Sequence, residues 1–237
     1  MRNFSFGLRW GLAAITLAVI LAQAGVYPGD HKYKTWTLEE ALQVLTRSPW
    51  AKQHTYTRVV GGIGSGVLGE KEIYSTFFVR ILSARPVREA FARVNQIQHG
   101  YDQMAAGEKR ELDALTFPGV EMDVSRWIIL TVSFRSSDRN EELRVKQFFD
   151  VQTTETIRNR TFLSTSRLGQ VQLAAYYPPR EDELGAKFVF PRELEGVPVI
   201  SSGDSSFAFE LALPGFDPEL RTTFTISEML VDGQPLL

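Results

Sequence analysis

The chain has 237 residues, of which 43% are hydrophobic and 11% aromatic, and carries a formal charge of −2 at pH 7. That composition fits a globular protein and excludes a disordered one, and so mild an acidic balance gives no support to nucleic acid or an anionic membrane as a partner. Cysteine is absent, which excludes disulfides, thiolate metal sites and a lipid-modified cysteine and leaves an ordinary core to hold the fold.

The N-terminus sets the expected destination. Arg2 and Arg9 accompany an apolar run from Trp10 to Leu21, followed by the small-x-small end Ala22-Gln23-Ala24. This is the pattern of a secretory signal cleaved after Ala24, which sends the chain to the periplasm or beyond. The run is shorter than the ~18–20 residues a spanning helix needs, and Pro28-Gly29 follow, so an uncleaved membrane anchor is the weaker alternative. With no Arg-Arg pair before the run, the general secretory route is expected. That route carries an unfolded chain, which argues against a cofactor loaded in the cytoplasm. Cleavage removes two arginines and no acid, moving the formal charge from −2 to about −4, and leaves 237 − 24 = 213 residues, enough for one large domain or two small ones.

Residues 25–36 are a polar leader broken by proline and glycine. Thr37-Leu38-Glu39-Glu40 is a capping box, and Leu38, Ala41, Leu42 and Leu45 then predict one apolar face of a helix that Ser48-Pro49 ends. Trp50 is expected to plug a core. Strands are predicted at residues 54–60 and 72–82; in the second, Ile73, Phe77, Val79 and Ile81 share a face that Ser75 interrupts. A helix follows from Pro86, with Val87, Ala90, Phe91 and Val94 at helical spacing. Another is expected over residues 101–116, stopped by Phe117-Pro118-Gly119. Residues 127–134 alternate as a strand, and residues 140–154 are read as a helix with Val145, Phe148 and Phe149 near one face.

From Thr161 the pattern turns to β, with runs at 171–177, 187–190, 207–213 and 222–231 set off by proline, glycine and serine. Segregated elements of this kind predict an α+β fold with a mostly antiparallel sheet. The chain accordingly divides into an α+β region at 37–160, holding a glycine-rich hairpin loop at 61–69, and a β-rich region at 161–237.

The glycine loop carries Gly64-x-Gly66-x-x-Gly69, the spacing of a dinucleotide turn. Such a turn must open a helix so that the pyrophosphate meets the helix N-terminus. Here "EKEIYSTFFVRIL" follows, a strand pattern, and Glu70 stands where a phosphate loop needs lysine. A hairpin connection is expected instead, with no nucleotide. Val59-Val60-Gly61-Gly62, His99 and Gly203-Asp204-Ser205 imitate the order of a trypsin-type protease, but the context of each departs from that pattern, and Ser201 to Ser206 reads as a polar turn. Ser205 is the least implausible nucleophile for a hydrolase reading, which stands second to a non-enzymatic one.

His31, His54 and His99 lie too far apart in sequence for a metal motif, so no metal or cofactor is expected. Glu39-Glu40, Glu141-Glu142 and Glu181 with Glu183 are read as solvated pairs. Among the aromatic residues Trp36, Trp50, Tyr176 and Tyr177, the pair Tyr176-Tyr177 before Pro178-Pro179 is the candidate contact for a partner, expected to be another envelope protein.

Several segments together carry a resemblance. Ser48-Pro49-Trp50-Ala51, the glycine-rich loop, the Ser83-Ala84-x-Pro86-x-Arg88 helix start and Phe190-Pro191-Arg192 follow in the order found in an uncharacterised family of secreted, mostly acidobacterial proteins, which this chain resembles over about residues 37–237. The chain departs from that family in its shorter loop and at Ile81, where relatives tend to carry tryptophan. The resemblance implies export and a shared fold. It supplies no activity or site to carry over.

Overall fold

The computed structural model describes residues 32–61, 70–231 and 234–237. The signal-like N-terminus with His31, the glycine-loop residues 62–69 and residues 232–233 lie outside the described residues.

The described chain is α+β with mostly antiparallel sheets. After a short 3-10 turn at Tyr33–Thr35, helix α1 (Leu38–Arg47) opens on the capping box: Thr37 Oγ1 accepts from the Glu40 amide and the Glu40 carboxylate accepts from the Thr37 amide. Its buried face is Ala41, Val44 and Leu45, while Leu38 and Leu42 are exposed. The helix is therefore rotated from the face expected, because apolar residues at this spacing fit two overlapping stripes and packing against the next helix selects one. Strands β1 (Ala51–Gly61) and β2 (Glu70–Ile81) pair antiparallel from Ala51↔Arg80 to Gly61↔Glu70. A strand, not a helix, thus follows Gly69, and the geometry a dinucleotide turn requires is missing.

Helix α2 (Arg85–Gln98) carries Pro86 in its first turn, and a 3-10 turn at Tyr101–Gln103 precedes α3 (Ala106–Val120). The expected helix over 101–116 thus starts later and runs through Pro118. Proline is tolerated there because only the last turn loses a hydrogen bond, and the carbonyl left over belongs to the exposed Ala114. Strand β3 (Trp127–Ser136) buries Ile128, Leu130, Val132 and Phe134 at alternate positions on one face, and Thr131 is buried on the other. Helices α4 (Arg139–Val151) and α5 (Thr154–Arg158) follow.

The rest is β: β4 (Thr161–Thr165), β5 (Gly169–Gln172), β6 (Ala175–Tyr177), β7 (Ala186–Pro191), β8 (Glu193–Leu194), β9 (Val197–Pro198), β10 (Ser206–Leu211), β11 (Leu220–Thr225), β12 (Leu230–Val231) and β13 (Gln234–Pro235). Two sheets dominate, one in the order β1-β2-β3-β7-β6 and one in the order β11-β10-β4-β5. Strands β6 and β7 join the sheet built by the first half of the chain, so the β-rich stretch contributes to both sheets. Gly185 makes this joint close: its φ is +89°, and a Cβ there would collide with the Val132 carbonyl.

The larger sheet has two differently covered faces. On one, Arg80 of β2 donates from Nε to the Leu45 carbonyl of α1 and lies over the ring of Phe91 in α2. On the other, Phe188 and Phe190 of β7 meet Phe209 of β10 edge to face at 5.2 and 6.3 Å. Phe207, Phe209, Leu211 and Leu213, the second faultless alternation in the sequence, are all buried there. Burying side chains of this size stabilises by about 1.5–3 kcal/mol each. Trp50 fills the core and donates from Nε1 to the Leu236 carbonyl at 2.6 Å, tying the chain's end to its first hairpin.

Candidate functional site

Beside the second face of the larger sheet lies a cleft of about 430 Å3 between β1, α4 and the turn after β10. Its apolar wall is Val145, Phe148, Leu213 and Phe216, and its charged residues are Arg58, Glu141 and Arg144. Phe216 anchors the turn by edge-to-face contacts with Tyr56 at 5.3 Å and Phe77 at 4.9 Å, and Gly215, at φ +86°, allows the chain to reverse there.

Glu141 is the centre of this site. Asp138 caps α4 by accepting from the Asn140 amide, which sets Glu141 in the first turn, facing the β1–β2 hairpin. Its side chain is 9% exposed. One carboxylate oxygen accepts from Ser75 Oγ at 2.8 Å and the other from Arg58 Nη2 at 2.5 Å. Ser75 Oγ also shares a hydrogen bond with Ser136 Oγ at 3.0 Å. The buried carboxylate is therefore fully partnered, as a buried charge must be. Glu141 is therefore not the solvated acid that its local sequence predicts. Its partners are 83 and 66 residues away in the chain, so local pattern could not expose it. One signal did exist: Ser75 interrupts the buried row of Ile73, Phe77, Val79 and Ile81, and a hydroxyl in such a row must find a polar partner.

The arginines are differently engaged. The Arg58 side chain is 56% exposed and holds Glu141 through one terminal nitrogen. Arg144 is 68% exposed, and its one ion pair among the described residues is to Glu141 at 3.8 Å, beyond hydrogen-bond length. A guanidinium has five N–H donors in a planar fork, so among the described residues both line the cleft with donors that no hydrogen bond takes up. A second, shallower depression of about 470 Å3 collects Arg47, Lys52, His54 and Arg221. There Arg221 is paired with Glu210 and Lys52 lies 3.7 Å from Glu228, and burial alone pulls the His54 imidazole below its ordinary pKa.

The tyrosine pair splits across the sheet. Alternation along β6 sends Tyr176 inward, 5% exposed, with its hydroxyl donating to the Phe149 carbonyl at 2.7 Å and its ring against Phe188 at 5.2 Å. Burial, with a smaller contribution from Asp150, pushes its phenol well above the ordinary range. Tyr176 therefore offers no surface to a partner. Tyr177, 49% exposed, does. Trp36 is buried like Trp50.

The residues that imitate a protease order are each engaged locally. His99 caps the end of α2, its Nδ1 2.8 Å from the Asn95 carbonyl. Asp204 accepts from the Ser201 amide at 2.9 Å and pairs with Arg167 at 3.1 Å, which makes Ser201 to Ser206 the polar turn expected. Ser205 is exposed and its carbonyl accepts from the Ile226 amide. Among the described residues no group of three or more His, Asp or Glu is placed to hold a metal ion. No helix among them is long and apolar enough to cross a membrane.

Compared with family models, curated proteins and solved structures, the chain matches none of the three.

Proposed function

We propose that this chain is an exported envelope protein that works by binding, with the cleft between α4 and the 213–216 turn as its ligand site. Export rests on the Arg2 to Ala24 pattern and on the family resemblance. The observation that carries the binding reading is the cleft itself, where an apolar wall meets guanidinium groups with donors to spare, the usual make-up of a small-molecule site. Tyr177 and the prolines after it are where another envelope component would dock if the protein works in an assembly.

Native mass spectrometry of the protein recovered from its host's envelope fraction tests the reading, using wild type and Pro214→Trp, which fills the cleft from an exposed position. The expected result is a chain starting at Gly25 with a bound species that Pro214→Trp loses. A full-length chain in the membrane pellet overturns the cleaved signal, and a species retained by Pro214→Trp overturns the cleft as its site.

A further inference from the structure

We propose that the ligand of this cleft is a small organic acid, with a carboxylate held by Arg144 and Arg58 and an apolar tail laid against Val145, Phe148 and Leu213. The proposal rests on the reading of the cleft as a ligand site and adds the chemistry of the ligand.

Charge decides the head group. The residues lining the cleft carry two guanidinium groups against one carboxylate, an excess of one positive charge. Glu141 is already engaged at both oxygens, by Ser75 and by Arg58, so an ammonium ligand would have to displace Arg58 to reach it. That exchange leaves a guanidinium without its partner and gains nothing. An incoming carboxylate meets the opposite situation. Among the described residues Arg144 has no hydrogen bond closing its fork, and 3.8 Å from Glu141 it can turn toward a second acid without stripping the first of its partners. Planar two-point pairing is what a guanidinium offers a carboxylate.

Size and polarity decide the tail. A volume of about 430 Å3 lies in the lower part of the range of small-molecule sites and accepts on the order of a dozen heavy atoms, taking ~30 Å3 for each atom of water size. The rest of the lining, Val145, Phe148 and Leu213 to Phe216, has no charged side chain. An acid with a chain of several carbons fills both halves, whereas a compact polar anion would leave the apolar wall wet.

Calorimetric titration of the full chain with octanoate, octanol and octylamine tests this, repeated on Arg144→Ala and Pro214→Trp, both at exposed positions. Octanoate is expected to bind once per chain, at least about tenfold more tightly than the alcohol or the amine. Arg144→Ala is expected to weaken it about tenfold, the scale of one charge-assisted hydrogen bond, and Pro214→Trp to abolish it. Octanol or octylamine binding as tightly as octanoate, and still lost in Pro214→Trp, would overturn the acid and keep the cleft. Absence of binding by all three, or binding indifferent to Pro214→Trp, would overturn both.

Discussion

Arginine is used in two ways on the two sides of the larger sheet. On the side of α1 and α2, Arg80, Arg88 and Arg93 are buried and their donors end on the chain's own groups: the Leu45 carbonyl and Ser133 for Arg80, the Val120, Leu82 and Ser83 carbonyls for Arg88, the Trp36 carbonyl and Asp102 for Arg93. Burial pulls the Arg80 guanidinium down to about 10. At the cleft, Arg58 and Arg144 are more than half exposed and retain donors. The same residue type is structural where its fork is filled by carbonyls and available for recognition where it is not. Charge alone does not distinguish the two.

The sharpest way to break that comparison is to remove a buried member. Arg80→Ala orphans the Leu45 carbonyl, withdraws the donor from Ser133 and leaves a cavity, so chemical denaturation should show a loss of about 2–4 kcal/mol. A loss under 1 kcal/mol would mean that Arg80 is not structural.

An intermediate case is the Arg167–Asp204 pair, a buried carboxylate under a half-buried guanidinium. Burial pushes the Asp204 carboxyl up, but hydrogen bonds from Arg167 and Ser201 outweigh it and hold it below its ordinary 3.8. A carboxyl depressed in the fold contributes stability that is complete above its unfolded pKa and disappears as pH falls through the folded one. Asp204→Asn is therefore expected to lower stability by about 1–2 kcal/mol at pH 7, with the gap to wild type closing as pH drops below about 3.8. A gap independent of pH would assign the effect to shape rather than charge.

The smallest effect belongs to the cleft. Arg144→Ala should change stability by less than about 0.5 kcal/mol in the same denaturation experiment, as exposed ion pairs contribute little. A larger loss would place Arg144 with the buried arginines.

Sequence alone reveals this fold unevenly, for physical reasons. The first helix is legible from its capping box, and residues 128–134 and 207–213 from large apolar side chains at every second position, although Thr131 and Ala208 between them are buried as well. The rotation of α1 is not, since its apolar residues satisfy two stripes and only contact with α2 selects Val44 over Leu38. Nor is the passage of α3 through Pro118, because proline breaks a helix only where the lost hydrogen bond is an interior one. Tyr176 and Tyr177 are adjacent in sequence and opposite in the sheet, so an aromatic-proline cluster there resolves into one core residue and one surface residue. The cleft is the least legible in sequence: Arg58, Ser75, Glu141 and Phe216 come from four segments, and Ser75 alone hints at them.

The most direct measurement is the shift of the arginine Nε–Hε signals in nuclear magnetic resonance spectra as octanoate is added. Saturating shifts at Arg58 and Arg144, with Arg80, Arg88 and Arg93 unmoved, are what the account predicts. Shifts at the buried three, or none at the cleft pair, would contradict it.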